Sequence, residues 1–226
     1  DCSGKIVTIE PRPHYDSHRL IEEFMITANV AAAETLTNGK TPCMYRIHDQ
    51  PPMDKSEILR GYLKELGYKL SRTRQLRPQH FQQILEKAKD TQNEEAISLM
   101  ILRSQSQAEY SPKNIGHFGL NIVRYSHFTS PIRRYSDLLV HRSLITQLNL
   151  GDDGVPSTGP QELSEIGIHL SKTERRAANA ERSAVERYKT SFIADKVGAT
   201  FSAKVSSVTR FGLFIVLDES GAEGLL

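Results

Sequence analysis

Apolar residues spaced three and four positions apart predict that most of the first 195 residues are helical. The first helix is expected to begin at Asp16 or Ser17. Further helices are predicted at residues 58–67, 78–89, 94–110, 130–149 and 162–193, and extended segments at 5–9, 44–48 and 117–128. The apolar stripe of the first helix is expected to contain Leu20, Phe24, Ala28 and Ala31.

Local signals define the ends of the helix at residues 58–67. Asp54 and Glu57 have the spacing of a capping box before its apolar run, and Gly67 is placed to end it in the left-handed conformation. This helix and the two that follow are interpreted as packing elements.

The helix at 162–193 carries acidic residues on its apolar stripe. Glu174 and Glu181 are seven residues apart, on the stripe of Leu170, Ala177, Ala184 and Tyr188. An inward carboxylate needs a partner. For Glu181 we consider two partners, an arginine of the core and a hydroxyl of a substrate.

From Val197 the pattern changes to the alternation that is typical of strands. We expect about two strands of an OB-type β-barrel, which needs five strands to close. The sequence therefore predicts an α+β protein with a helix-rich domain at residues 1–195 and an incomplete barrel at 196–226. We expect the chain to be part of a longer protein.

Composition narrows the class of protein. Hydrophobic residues make up 38% of the 226 residues and charged residues 25%, without an apolar run long enough to span a membrane. Two cysteines are too few for a disulfide framework, so we expect a cytoplasmic protein. The net charge is only +2, so affinity for nucleic acid has to come from a local cluster of basic residues.

The segment SPIRRY, at residues 130–135, has the pattern of a phosphate site. Ser130 is a good N-cap and Pro131 suits the first helical position. Arg133 and Arg134 would then lie at the positive end of the helix dipole, where cations are unfavourable unless an anion lies between.

An alternative is that Arg133 forms an i,i+4 pair with Asp137 on a solvated face. The neighbouring residues favour nucleic acid, because basic and aromatic side chains alternate there. They are Arg124, Tyr125, His127, Phe128, Tyr135, His141 and Arg142.

The segment HFGLNIVRYSHFTSPIRRYSDLLVHR, at 117–142, closely resembles the signature of the RNB family of 3′-to-5′ hydrolytic exoribonucleases, and SPKNIGHFGL suits the ribonuclease R type better than the ribonuclease II type. The segments DSHRLIEEFMITANVAAAE, MYRIHDQPP, LRSQSQAEYSP and KTERRAANAERSA are similar to further blocks in the family's order. KVSSVTRFGLFIVLDESGAEGLL is similar to the start of an S-one RNA-binding domain.

The resemblance implies a funnel that admits single-stranded RNA, and release of nucleoside monophosphates by a two-metal mechanism with Mg²⁺. Arg133 matches the arginine placed on the scissile phosphate, Glu22 a glutamate that contacts ribose, and Glu181 a glutamate beside the 3′-terminal nucleotide. We also expect RNA contacts from the following residues of the signature: His117, Tyr125, His127, Ser130 and Arg134.

The family's metal-binding aspartates are expected to precede Asp1, so no residue of this chain is predicted to bind metal, and residues 1–226 alone are expected not to hydrolyse RNA. The competing hypothesis is a homologue that binds RNA without catalysis. We expect single-stranded RNA as the partner, a monomer, and no membrane association.

Overall fold

The computed structural model describes residues 6–10, 12–71, 73, 76–155 and 159–226. It divides into two compact units, one at residues 20–171 and one formed by residues 1–19 together with 172–226. Helices and short antiparallel strands make up the described part of the chain, which confirms the predicted α+β class.

The larger unit contains two hydrophobic cores. The first packs α1 (Asp16–Asn38), β1 (Tyr45–Ile47), β2 (Glu109–Ser111), α5 (Tyr135–Leu148) and the beginning of α6 (Pro160–Ala194) around Leu36, Met44 and Val140. The second packs α2 (Met53–Glu65), α3 (Pro78–Ala88) and α4 (Glu94–Ser104) around Leu59, Leu63 and Ile97. A 3₁₀ turn at Phe118–Leu120 contacts this second core through Phe118.

Strands β1 and β2 pair antiparallel, with Arg46 opposite Tyr110. Helix α6 packs very close to β2, because a Cβ on Gly167 would lie only 2.6 Å from the Tyr110 carbonyl oxygen. The Tyr110 amide donates to Ser171 Oγ at 2.9 Å, and Ser171 donates to the Gly167 carbonyl at 2.8 Å. Helix α6 thus supplies a hydrogen-bond acceptor to the strand.

The second unit contains an antiparallel sheet in the order β3 (Ala203–Thr209), β4 (Gly212–Leu217) and β5 (Glu223–Leu225). The expected number of about two strands was too low, because the Gly221 turn, at φ +62°, returns the chain as the short strand β5. Lys189 of α6 donates to the Gly221 carbonyl at 2.8 Å. The boundary at residue 196 stays a prediction.

Helix positions agree with the sequence pattern, whereas several details were wrong. The buried residues of α1 are Asn29, Ala32, Ala33 and Leu36, while Leu20 and Phe24 are more than half exposed. The predicted capping box is absent, because Pro52 occupies the N-cap without a side-chain bond and Glu57 pairs with Arg60. Gly67 adopts φ +83°, as predicted.

Other details also differ. Residues 6–10 form no strand, and Lys5 lies outside the described residues. Helix α4 ends at Ser104, and the segment 117–128 contains isolated bridges and the 3₁₀ turn in place of a strand. None of the described helices combines the length and apolar character needed to cross a membrane.

Candidate nucleic-acid interface

Residues 130–133 form a turn that precedes helix α5. The amides of Arg133 and Arg134 both donate to the Ser130 carbonyl, at 3.3 and 3.1 Å. Arg134 is the N-cap, with extended backbone angles of φ −130° and ψ 116°, so α5 begins at Tyr135. The predictions that Ser130 is the N-cap and that Pro131 is the first helical residue were therefore wrong.

The carboxylate of Asp137 explains where the helix begins. It is fully buried, and its Oδ2 atom accepts from the Ser130 amide and from Arg134 Nη2, both at 2.8 Å. Ser136 Oγ donates to the other oxygen at 3.0 Å. A carboxylate in the first turn also interacts favourably with the helix dipole and offsets the charge of Arg134.

The two adjacent arginines therefore lie in different environments. The side chain of Arg134 is 19% exposed and pairs with Asp137, whereas Arg133 is exposed on the turn. The alternative that Arg133 pairs with Asp137 is wrong, because Arg134 forms that pair. Ile132 is fully exposed on the same turn because it precedes the helix.

A row of aromatic rings lies in the same unit. His117 contacts His48 and Tyr125, with ring centroids 5.0 and 5.4 Å apart, and Tyr125 contacts His127 at 5.8 Å. His127 meets the edge of Tyr110, whose hydroxyl lies 2.9 Å from its Nδ1. The structure thus brings His117, Tyr125 and His127 together.

Arg46 and Asn29 connect this row of aromatic rings to strand β1 and helix α1. The Arg46 guanidinium lies over the Tyr110 ring, 4.5 Å from its centroid. Asn29 of α1 donates to the Tyr125 hydroxyl at 3.0 Å and accepts from the Phe128 amide at 2.9 Å. Tyr125 is consequently buried, with its hydroxyl engaged inside the fold.

His117 and His127 are neutral at pH 7. Burial, assisted by the nearby His48 ring and the positive charge of Arg46, lowers the pKa of His117 to about 4. Burial lowers the pKa of His127 to about 3, and the positive charges of Arg134 and Arg46 act in the same direction. These imidazoles therefore present aromatic surface and hydrogen-bonding atoms, and the arginines supply the positive charge.

Backbone contacts fix the tautomers of two of these rings. The Gly119 amide donates to His48 Nδ1 at 2.8 Å, so Nε2 carries the proton and donates to the Ser106 carbonyl at 2.8 Å. The Leu120 amide donates to His117 Nδ1 at 3.2 Å, which leaves the proton of the neutral ring on Nε2.

The two glutamates predicted to contact RNA are both on exposed surfaces. Glu22 lies on the first half of α1, and Glu181 lies on α6 in the second unit. The prediction that Glu181 lies on a buried stripe was wrong, because Ala177 and Ala184 are also exposed and this part of the helix turns that face outwards.

Sequence reasoning missed the roles of Asp137, Asn29, Arg46 and Tyr110 at this interface. Their partners are distant in sequence, apart from the Arg134–Asp137 pair at i,i+3. The i,i+3 spacing of Arg134 and Asp137 is visible in the sequence, but Arg133 has the equally compatible i,i+4 spacing, so spacing alone does not select the pair.

A cleft of about 570 Å³ opens beside the row of aromatic rings. Its walls include His48, Gln50, Asn114, His117 and Val123. Asn114 is already engaged, since it donates to the Val123 carbonyl and accepts from the Gly116 amide, both at 2.9 Å.

The described residues do not fit the ligand set of a divalent cation. Within them, no group of three or more His, Cys, Asp or Glu side chains is arranged to hold a metal ion. The buried carboxylate of Asp137 already accepts hydrogen bonds from the Ser130 amide, Arg134 and Ser136. We therefore assign no metal ligand among the described residues.

Comparison with known proteins identifies the class. The family model of the RNB domain matches residues 1–149, and the chain belongs to the RNB family. Among curated relatives it is similar to ribonuclease R of Aquifex aeolicus (strain VF5), with 40% identity over 226 residues that cover all of this chain and 32% of the relative. Ribonuclease R of Escherichia coli (strain K12) is also 40% identical, over 234 residues that cover all of this chain and 29% of the relative.

Solved structures show the same relationship. Mycoplasma genitalium RNase R in complex with ribose methylated single-stranded RNA has a TM-score of 0.89 and 32% identity, covering 97% of this chain and 35% of that one. Yeast Ssd1, described as a pseudonuclease, shares the fold with a TM-score of 0.76 at 22% identity, covering 93% of this chain and 27% of that one. The family predicted from the signature is confirmed, and the chain spans about a third of the length of these curated relatives.

Proposed function

We propose that the chain is part of a 3′-to-5′ exoribonuclease that hydrolyses single-stranded RNA to nucleoside 5′-monophosphates. Membership of the RNB family and the similarity to ribonucleases R support this proposal. A similar protein has also been solved with single-stranded RNA bound. Cytoplasmic location and a monomeric state stay predictions.

The observation that carries the proposal is the exposed Arg133 on a turn closed by hydrogen bonds. Both ends of the turn are held by Asp137, and the neighbouring Arg134 already has a partner. Arg133 is thus the arginine of SPIRRY that is positioned to contact an external phosphate. A guanidinium offers two parallel donors to a phosphoryl group, and that interaction strengthens as negative charge grows in the transition state.

The other residues proposed to act on RNA differ in whether their side chains are exposed or engaged inside the fold. Glu22 and Glu181 are exposed and are proposed to contact ribose hydroxyls, and Ser130 belongs to the turn itself. His117 and His127 are proposed to act as neutral aromatic groups. Tyr125 and Arg134 are engaged inside the fold, so we propose that they act on RNA chiefly by holding their neighbours in place.

Hydrolysis by this family is proposed to depend on metal ions, with Mg²⁺ as the expected ion of the full-length enzyme. The described residues do not fit its ligand set. What this chain supplies in the proposal is therefore the binding and orientation of RNA and the stabilisation of charge at the phosphate.

Arg133→Lys should slow RNA cleavage by the full-length protein. Lysine keeps the positive charge but loses the bidentate fork, so single-turnover cleavage of 5′-labelled single-stranded RNA should slow by about 10²- to 10³-fold while RNA affinity changes little. Arg103→Lys is the matched control, because Arg103 is an exposed arginine on α4, beside the other core.

The products test the rest of the proposal. Successive shortening from the 3′ end with release of nucleoside 5′-monophosphates is expected. Tight RNA binding by the wild-type protein without shortening would support the competing hypothesis of a non-catalytic homologue. Near wild-type cleavage by the lysine variant would mean that Arg133 does not contact the reacting phosphate.

A further inference from the structure

Asp137 has an unusual environment for a carboxylate. It is fully buried, yet three donors converge on it: the Ser130 amide, the Arg134 guanidinium and the Ser136 hydroxyl. A buried carboxylate is costly unless it is paired and hydrogen-bonded, and these contacts satisfy both conditions.

The geometry of these contacts links Asp137 to the turn. Its Oδ2 atom accepts from Ser130, the residue before the segment 131–133, and from Arg134, the residue after it, at 2.8 Å in both cases. A single oxygen atom thus holds both ends of the three-residue segment that carries Arg133. The two amides that donate to the Ser130 carbonyl close the same turn from the backbone side.

The Arg134–Asp137 ion pair also places the two arginines in different environments. Asp137 binds the Arg134 side chain inside the fold, whereas the two preceding residues, Arg133 and Ile132, lie on the exposed side of the turn. Without the carboxylate, two adjacent guanidiniums would repel each other at the start of a helix, where positive charge is unfavourable.

We infer that Asp137 is a positioning residue, which does not itself touch RNA but fixes the turn so that Arg133 meets the reacting phosphate in one orientation. This inference rests on the proposed function. Displacement of a catalytic group by about 1 Å can lower a rate by about 10²-fold, so the effect of Asp137 should appear in the chemical step more than in RNA affinity.

The test is a double-mutant cycle in the full-length protein with Asp137→Asn, Arg133→Ala and the double variant. Asparagine has nearly the same shape but lacks the charge that holds Arg134. We expect Asp137→Asn to lower the single-turnover rate by about 10- to 100-fold in the wild-type background. In the Arg133→Ala background the same change should lower the residual rate by less than about twofold, because the group that Asp137 positions is absent.

Equal fold losses in both backgrounds would overturn the inference, since they would show that Asp137 supports the fold generally. A wild-type rate for Arg133→Ala alone would instead refute the assigned role of Arg133, and so the proposed function of the site. Thermal unfolding of each variant identifies any that fail to fold.

If Asp137→Asn does not fold, Arg134→Lys supplies the same cycle, because lysine keeps the charge opposite Asp137 while changing the geometry of the pair. Its loss of rate should likewise depend on the presence of Arg133. A loss that persists in the Arg133→Ala background would contradict the inference and indicate direct RNA contact by Arg134.

Discussion

Side chains of the same type have different environments in this chain because individual contacts determine their burial and charge. Arg133 and Arg134 carry the same charge, yet only Arg134 reaches the buried Asp137. Similarly, His117 and His127 are kept neutral by burial and by nearby arginines, so their chemistry differs from that of an exposed histidine.

Glu22→Ala should reduce the preference of the full-length protein for RNA over DNA. An exposed carboxylate can accept a hydrogen bond from a 2′-hydroxyl, which DNA lacks, so the ratio of the two dissociation constants should fall by about tenfold. Glu23→Ala removes a neighbouring exposed carboxylate and serves as the control. An unchanged ratio would show that Glu22 does not read the sugar.

His127 should make stability sensitive to acid. Its pKa is about 3 in the folded chain and near 6.5 when unfolded, so between these values the unfolded chain binds more protons. Stability should be fully present above pH 6.5 and decrease as the pH falls towards 3, by at most about 1.4 kcal/mol per pH unit for this residue.

Urea unfolding between pH 7 and pH 4 measures this effect. His127→Gln keeps a group that can hydrogen-bond to Tyr110 but does not titrate, so the dependence of stability on pH should be shallower than in the wild type. A pH dependence in His127→Gln as steep as that of the wild type would contradict a neutral, partly buried His127.

Among contacts between elements, helix α6 approaches strand β2 closely at Gly167. Gly167→Ala would bring a Cβ to 2.6 Å from the Tyr110 carbonyl oxygen, so α6 has to move away, at a cost of about 1–3 kcal/mol in the free energy of unfolding. Gly61→Ala is the matched control, because nothing lies within 4 Å of its added Cβ in α2. It should stabilise the chain by up to about 1 kcal/mol.

Denaturant unfolding of the two alanine variants compares them directly. If both gained stability, the packing of α6 on β2 would be looser than the structure shows.

The elements themselves could largely be predicted from the sequence. Periodicity located the helices and the change to strands, since these depend on neighbours along the chain. The start of α5 could not be predicted in the same way, because Asp137 competes with the local capping signal of Ser130. The exposed faces of α1 and α6 were missed because periodicity defines a face but not what covers it.

Only the part of the candidate site that is close in sequence could be predicted. The signature located Arg133 and the row of rings, which are close in sequence. Asn29 and Arg46 join that row from α1 and β1, and only the fold brings them there.

Across this chain, charge is nearly balanced, with 29 basic and 27 acidic residues. With so little net charge, the chain offers no uniformly basic surface to RNA, so we expect its contribution to the RNA affinity of the full-length protein to depend on a few local contacts. Each phosphate contact to single-stranded RNA contributes about 0.7 to the slope of log affinity against log salt.

Arg133→Gln in the full-length protein should therefore reduce the magnitude of this slope by about 0.7, because one phosphate contact is lost. Lys87→Gln changes the net charge equally on the exposed face of α3 and should leave the slope unchanged, while Arg133→Lys should retain the wild-type slope despite its slower cleavage. Fluorescence anisotropy with a short single-stranded RNA, measured between about 50 and about 300 mM salt, gives the slopes for the three variants. Equal reductions for Gln at both positions would show that total charge governs affinity, and that Arg133 has no special place in RNA binding.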